Sequence, residues 1–181
     1  MRYCSNCGAP VSRAIPAGDQ RERYCCNACG AVHYENPKIV VGCVLEWRGA
    51  ILLCRRAIEP RIGFWTLPAG FLENGESIAA GAMRETVEEA GAHAAIEGFF
   101  AVLDVPRIHQ VHMFFRGRLR TDSLSPGIES MDARLFDAPA IPWKELAFPS
   151  VRCVLEHFLN DRSAGGFGTH TITLADDQSN R

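Results

Sequence analysis

The sequence predicts an α/β domain behind a small cysteine-rich N-terminal module. Three observations carry this. Five of the eight cysteines fall in the first 29 of 181 residues, in a stretch rich in Gly, Pro, Asn and Cys with no apolar period long enough to build a core. From Asn36-Pro37 the character changes to β-branched and aliphatic runs, Lys38 to Trp47 and then Ile51 to Arg55. Between these and two later strand-like runs lies Ser77 to Ala90, which reads as a helix with end signals on both sides.

Length and composition fit this reading. Surface scaling gives roughly 20,000 Å² removed from water for a chain of this size, enough for a real core. With 47% hydrophobic and 22% charged residues and a net charge of -2, the chain is neither disordered nor collagen-like, and a strongly basic nucleic-acid binder is excluded. The longest apolar run, Ile39 to Leu45, is too short to span a bilayer, and Met1-Arg2-Tyr3-Cys4 lacks the apolar core of a signal peptide. No membrane partner and a cytoplasmic location are therefore expected.

Cys4-x2-Cys7 and Cys26-x2-Cys29, with 18 residues between, suit tetrahedral thiolate ligation of zinc, because each short turn aims two sulfurs at one ion. Cys25 in place of Cys26 would give a three-residue spacer; Cys26 is preferred because its spacing matches the first pair. Two disulfides are the other use of such cysteines, disfavoured in a chain without an export signal. Residues 1–36 would then fold on their metal. They carry Arg2, Arg13, Arg21 and Arg23 against Asp19, Glu22 and Glu35, a net +1 that is too little for a phosphate-tracking surface. Cys43, Cys54 and Cys153 sit in apolar contexts and read as buried thiols.

In the main domain, residues 37–160, Arg48-Gly49 separates the first two runs as a hairpin turn. Ser77 is the cap of the following helix and Gly91 its stop. Phe99 to Val105 and Val111 to Leu119 read as strands, Thr121 to Ser130 as turn-rich. Phe148 to Asn160 has helical spacing in Val151, Val154, Leu155, Phe158 and Leu159. From Asp161 the composition is that of a loosely held tail, residues 161–181.

The chemistry is concentrated between Gly70 and Ala92. On a helix advancing about 100° per residue, Glu85, Glu88 and Glu89 lie within one arc of about 100°. Glu73, Glu76, Glu85, Glu88 and Glu89 face Arg84 alone, a net -4 in a segment whose repulsion opposes the helix. A hard divalent cation neutralises it, and Mg²⁺ or Mn²⁺ takes a few carboxylates while keeping places for waters and phosphate. An isolated Glu-x-x-Glu-Glu is more often a solvated helix face; the fixed positions around this one change the reading. Gly81 inside the helix costs about 1 kcal/mol relative to Ala, which asks for a close neighbour in compensation.

Gly70, five residues, Glu76, seven residues, Arg84-Glu85, Glu88-Glu89 and Gly91 match all seven fixed positions of the Nudix box, an agreement expected by chance about once in 10⁸ starts at average residue usage. Thr86 and Ala92 stand where a bulkier aliphatic residue is usual. Together with Asn36 to Cys43, Leu52 to Arg56 and Gly63 to Phe71, the chain from about Cys4 to Leu159 resembles the compact Nudix hydrolases with an N-terminal zinc ribbon, most nearly the plant plastid FAD pyrophosphatase type. NADH pyrophosphatases share the plan but carry a Ser-Gln-Pro-Trp-Pro-Phe-Pro signature, of which only Phe148-Pro149-Ser150 is similar here; the NADH or ADP-ribose type ranks second.

The resemblance implies an α/β/α sandwich with a mixed sheet and hydrolysis of a nucleoside diphosphate linked to another moiety, FAD giving AMP and FMN. It implies Glu85, Glu88 and Glu89 as ligands of the catalytic metal, Arg84 as the residue that holds them, Glu76 as the loop anchor, and often a homodimer. A silent, nucleotide-sensing Nudix domain would be marked by a lost carboxylate, and none is lost. Arg48, Arg55, Arg56 and Arg61 against Glu59 give +3 upstream of the box, a dipole able to steer a diphosphate. From these Arg56 and Arg61 are the expected phosphate contacts, and Trp65 the expected stacking wall for the second group. His109 and His112, near Phe114 and Phe115, read as structural histidines.

Overall fold

In a computed structural model, which describes residues 1–174, the chain divides into two units between Pro37 and Lys38. The first is a three-stranded antiparallel sheet of β1 (Val11–Ala14), β2 (Arg23–Cys26) and β3 (Val32–His33), in that order. Strands this short do not hold a fold by themselves. Two copies of one turn accompany them, Cys4-Ser5-Asn6-Cys7-Gly8-Ala9 and Cys26-Asn27-Ala28-Cys29-Gly30-Ala31. In each, the first cysteine N–H donates to the alanine carbonyl, at 2.8 and 2.9 Å, and the glycine N–H donates back to the cysteine carbonyl at 2.9 Å. Gly8 and Gly30 take φ of +74° and +73°, left-handed backbone that costs a side chain dearly. Cysteine spacing alone does not bring out this Cys-x-x-Cys-Gly-Ala repeat.

The second unit runs β4 (Lys38–Trp47), β5 (Ala50–Arg56), β6 (Trp65–Thr66), β7 (Ala69–Phe71), α1 (Ile78–Ala90), β8 (Ala94–Val105), β9 (Gln110–Leu119), β10 (Ser130–Phe136), α2 (Pro149–Ala164) and β11 (His170–Thr173). The main sheet has the order β10-β5-β4-β9-β8-β11, with β6 on β5 and β7 on β4. β4 with β9 and β8 with β11 are parallel and the rest antiparallel, so the sheet is mixed. Strand alternation sorts the core into two layers. Val44, Ile51, Leu53 and Phe114 point to the face covered by Val151, Val154, Leu155 and Phe158 of α2. Val41, Cys43, Leu45, Leu52 and Cys54 point to the other, covered by Ala82 and Ala90 of α1. The result is the expected helix–sheet–helix sandwich. Among the described residues no helix is long and apolar enough to cross a membrane.

β4 and β5 pair only beside their turn, Glu46 with Ile51 and Trp47 with Ala50. Beyond it they part. β5 takes Thr66 and Trp65 against Cys54 and Arg55, while β4 takes Phe71, Gly70 and Ala69 against Val40, Val41 and Gly42. This parting delivers the Gly70 loop to the sheet surface beneath α1.

Three expectations change. β8 begins at Ala94, well before Phe99. β10 lies where the sequence offered only the end of a turn-rich stretch, its apolar Met131, Ala133 and Leu135 being interrupted by an Asp132–Arg134 ion pair of 2.6 Å. The loosely held tail is overturned up to Thr173. α2 continues to Ala164, Asp161 Oδ2 accepts Gly168 N–H at 2.9 Å and lies 2.8 Å from His170 Nε2, and β11 pairs Ala101 to Asp104 of β8. The rest of the expected tail, 175–181, lies outside the described residues.

Candidate active site

The helix ends form as their residues dictate. Ser77 Oγ accepts Ala80 N–H at 3.2 Å, and Gly91 closes α1 in the left-handed conformation at φ +59°. At Gly81 a Cβ would lie 2.7 Å from Glu76 Oε1 and 3.0 Å from Leu72 and Val41 side-chain carbons, so its helix cost is compensated by close approach of loop and strand. Thr86 is fully buried, and its hydroxyl donates to Ala82 O at 2.9 Å, which satisfies a polar group in an aliphatic place.

Arg84 joins the parts. Its Nη2 and Nε donate to Glu76 at 2.8 and 3.1 Å, Nη2 also to Phe71 O at 3.0 Å, and Nη1 to Glu85 at 2.7 Å and Glu88 at 2.9 Å. Glu76 Oε1 accepts Glu73 N–H at 2.8 Å, tying the loop to the same guanidinium. Glu89 Oε2 accepts Ala69 N–H at 3.1 Å. Gly70 lies directly against Glu85, where any Cβ would collide with the carboxylate.

The carboxylates differ in burial. Glu85 and Glu89 are 9% and 5% exposed, while the Glu88 side chain is 56% exposed. Burial pushes the Glu89 carboxyl up to about 8, helped by the charges of Glu85 and Glu129 and opposed by Ala69 N–H and Arg56. Burial also raises Glu85. Glu76 is lowered by its bonds to Arg84. Glu129, at the end of the loop before β10, thus faces the buried pair as a fourth carboxylate. Sequence reasoning missed it because it arrives from a separate element; the loop is docked by Ser125 N–H on Ala90 O at 2.7 Å and Gly127 N–H on Glu89 O at 3.3 Å.

The basic residues do not converge as one patch. Arg56 faces the site closely enough to lower Glu89, its guanidinium fixed by Pro60 O at 2.7 Å and lying 5.1 Å from the Phe148 ring. Arg61 stacks on Phe64 at 5.3 Å, and Arg55 turns to Gly63 O at 2.8 Å. Arg48 sits at the hairpin turn just past β4, seven residues from Val41 of the Val41–Gly70 pair, or roughly 23 Å of extended strand, and adds nothing local to the site. Trp65 is 5% exposed and packs edge-on against Phe136 at 4.9 Å, so it has no open face for a substrate ring. Its expected stacking role is replaced by a packing role. His112 is half-buried with Nε2 2.8 Å from Gln110 Oε1, and burial lowers its pKa.

In the N-terminal unit, Cys4, Cys7, Cys26 and Cys29 bring their sulfurs within 4.8 Å of one another, the one such group of three or more ligand atoms among the described residues. The 3.5 Å between Cys7 and Cys26 and 3.7 Å between Cys4 and Cys29 suit a tetrahedron whose edge, for about 2.3 Å Zn–S bonds, is about 3.8 Å. Backbone N–H of Cys29 holds the Cys26 thiol down to about 7, ready for thiolate ligation. Cys25 turns away, toward Ala14 O and Arg23 O. The donors therefore fit zinc, with Cys26 rather than Cys25.

A mixed-sheet sandwich carrying this glutamate-rich loop and helix, joined to a four-cysteine ribbon, defines a Nudix protein of the ribbon-bearing kind. Residues 36–158 match the NUDIX domain family and residues 2–35 the zinc-ribbon family described as Nudix N-terminal; the chain belongs to the Nudix family. A solved NUDIX hydrolase from Nitrosomonas europaea is 45% identical, with a TM-score of 0.93 over 96% of this chain and 99% of that one. The NAD-capped RNA hydrolase NudC of Stutzerimonas stutzeri is 32% identical over 80% of this chain and 52% of its own length, and an ADP-ribose pyrophosphatase of Methanocaldococcus jannaschii is 28% identical over 68% and 75%. The chain spans about half the length of the NudC relatives it matches.

Proposed function

We propose that the chain is a divalent-metal-dependent pyrophosphohydrolase acting on an adenosine diphosphate joined to a second group, with ADP-ribose and NAD-type molecules ahead of FAD. The observation that carries the reaction class is the set Glu85, Glu88 and Glu89 on one face of α1, with Glu85 and Glu88 held by the Arg84 guanidinium, Glu85 and Glu89 buried, and the charge of Glu129 acting on that buried pair. These oxygens would hold Mg²⁺ or Mn²⁺, which would supply neutralisation of developing charge and a more acidic attacking water. Arg84 orients Glu85 and Glu88, Glu76 holds Arg84, and Ala69 N–H orients Glu89. Arg56 presents positive charge beside them for a phosphate oxygen. Water adds to one phosphorus as the anhydride P–O bond breaks, giving AMP and a second monophosphate.

The substrate order follows from two points. Trp65, the residue assigned to read isoalloxazine, packs inward. The relatives are named for NAD-capped RNA and ADP-ribose, which favours the NADH or ADP-ribose reading and brings a capped RNA among the substrates, against the expectation of no nucleic-acid partner. The test is AMP release, or decapping, from ADP-ribose, NADH, FAD and NAD-capped RNA with Mg²⁺. Wild type should favour one of the non-flavin substrates over FAD by about tenfold or more in kcat/KM, and Glu88→Gln should lower kcat by about 10²-fold or more. Wild-type preference for FAD overturns the substrate order; near wild-type turnover by Glu88→Gln at saturating Mg²⁺ overturns the metal site.

A further inference from the structure

We propose that His33 is an outer-sphere positioning residue of the ribbon's metal centre, its Nε2–H donating a hydrogen bond to the Cys4 thiolate and so slowing loss of zinc. This rests on the reading of the four cysteines as a zinc site. His33 belongs to β3, where it pairs with Tyr24 of β2, and β3 carries it from the second turn of the repeat across to the first. Its Nε2 lies 3.2 Å from Cys4 Sγ. A zinc-bound thiolate carries lone pairs and no proton, so the contact is a bond only with the imidazole as donor. His33 is not a ligand in place of a cysteine, because the four sulfurs already make up the tetrahedral set.

The charge distribution says why this donor is needed. Zn²⁺ with four thiolates has a net charge of -2 by valence. Three cations of the unit have carboxylate partners: Arg23 with Asp19 at 2.8 Å, Arg13 with Glu22 at 3.4 Å, and the terminal amine with Glu35 at 3.7 Å. The exposed sulfurs, Cys7 and Cys29, are open to water. Cys4 and Cys26 are 3% and 2% exposed and depend on protein donors. Cys26 receives the N–H groups of Cys29 and Ala28. Cys4 receives Asn6 N–H at 3.4 Å, and His33 is its second donor. A sulfur with both donors is a poorer proton acceptor, and protonation of a thiolate is the step by which acid or a chelator opens a zinc–cysteine site.

The experiment uses the full chain purified with zinc, as wild type, His33→Ala and His33→Gln, the glutamine amide placing an N–H near the original Nε2. Zinc content is measured first, then release into excess chromophoric chelator, then the sulfur-to-metal charge-transfer band of the Co²⁺-substituted proteins. Wild type is expected to hold one zinc per chain, His33→Ala to release it about 10- to 100-fold faster, and His33→Gln to stay within about threefold of wild type. The Co²⁺ band should move to longer wavelength in His33→Ala and hold in His33→Gln. Equal release from wild type and His33→Ala, or equally fast release from both variants with an unmoved band, overturns the role of His33 while leaving the zinc site. Wild-type protein without zinc overturns the metal reading and His33 with it.

Discussion

Removing the charge of Glu89 should strengthen the metal-free fold and end the chemistry. Its carboxyl is buried, faced by Glu85 and Glu129, and held at about 8 against an ordinary 4.5. Below pH 4.5 the group is protonated in folded and unfolded chains alike. Between 4.5 and about 8 the unfolded chain gives up its proton while the folded chain keeps it, so stability falls as pH rises, and the fall is complete above about 8. At about 1.4 kcal/mol per tenfold the whole fall is about 5 kcal/mol, as large as the total stability of a marginal domain. At pH 7 it is about 3 kcal/mol, or about 10 °C in Tm for a chain of this size. Glu89→Gln keeps an oxygen for Ala69 N–H and removes the titration. Thermal unfolding by circular dichroism from pH 5 to 8, in magnesium-free buffer and with added Mg²⁺, should show a steep decline for metal-free wild type, a much shallower profile for Glu89→Gln, and recovery by Mg²⁺ of wild type alone. Parallel pH profiles for the two proteins, or equal stabilisation of both by Mg²⁺, would refute the reasoning.

Gly70→Ala sets a methyl against the Glu85 carboxylate and should lower kcat by about 10-fold or more while shifting Tm by only a few degrees, as steady-state kinetics and calorimetry will show. Trp65→Ala empties a core site beside Phe136 and should cost about 3–5 kcal/mol in denaturant unfolding, with equal fractional losses of kcat/KM on FAD and ADP-ribose; a loss confined to FAD would return Trp65 to the substrate pocket. His112, its pKa lowered by burial, gives the opposite pH slope to Glu89: just below 6.5 the unfolded chain binds a proton that the folded chain refuses. The contribution of His112 there rises with pH and offsets part of the fall from Glu89, so His112→Gln should steepen the decline of metal-free protein in urea titrations between pH 5 and 7.

The box was legible because its geometry is local. Glu85, Glu88 and Glu89 share a helix face by spacing alone, and Ser77 and Gly91 act on backbone groups within a turn of themselves. Each Cys-x-x-Cys pair was legible for the same reason, its two sulfurs lying in one turn. Glu129 was not, because only the pairing of β10 with β5 and the docking of its loop on the end of α1 bring it to the site. Arg48 and Arg56 are close in sequence, yet a strand separates the turn from the carboxylates. Trp65 opens a strand that can turn it inward or outward, and the sequence does not say which; pairing of β6 with β5 decides it. β11 was hidden because Thr171, Ile172 and Thr173 form so short a β-branched run among glycines and polar residues.

The parting of β4 and β5 bears on how this chain must fold. Extended without interruption, the register that sets Glu46 against Ile51 would set Cys43 against Cys54 and Gly42 against Arg55, giving a long local hairpin that forms in microseconds. The native sheet gives up those pairs, admitting residues 65–71 between the strands, and it also needs β9 to reach β4 from much farther along the chain. The easy early ribbon is thus a competitor of the final sheet rather than its template. Its over-zippered form would close the wedge where Gly70 meets Glu85, so that the pace of folding is set by the late arrival of distant strands and not by the hairpin itself.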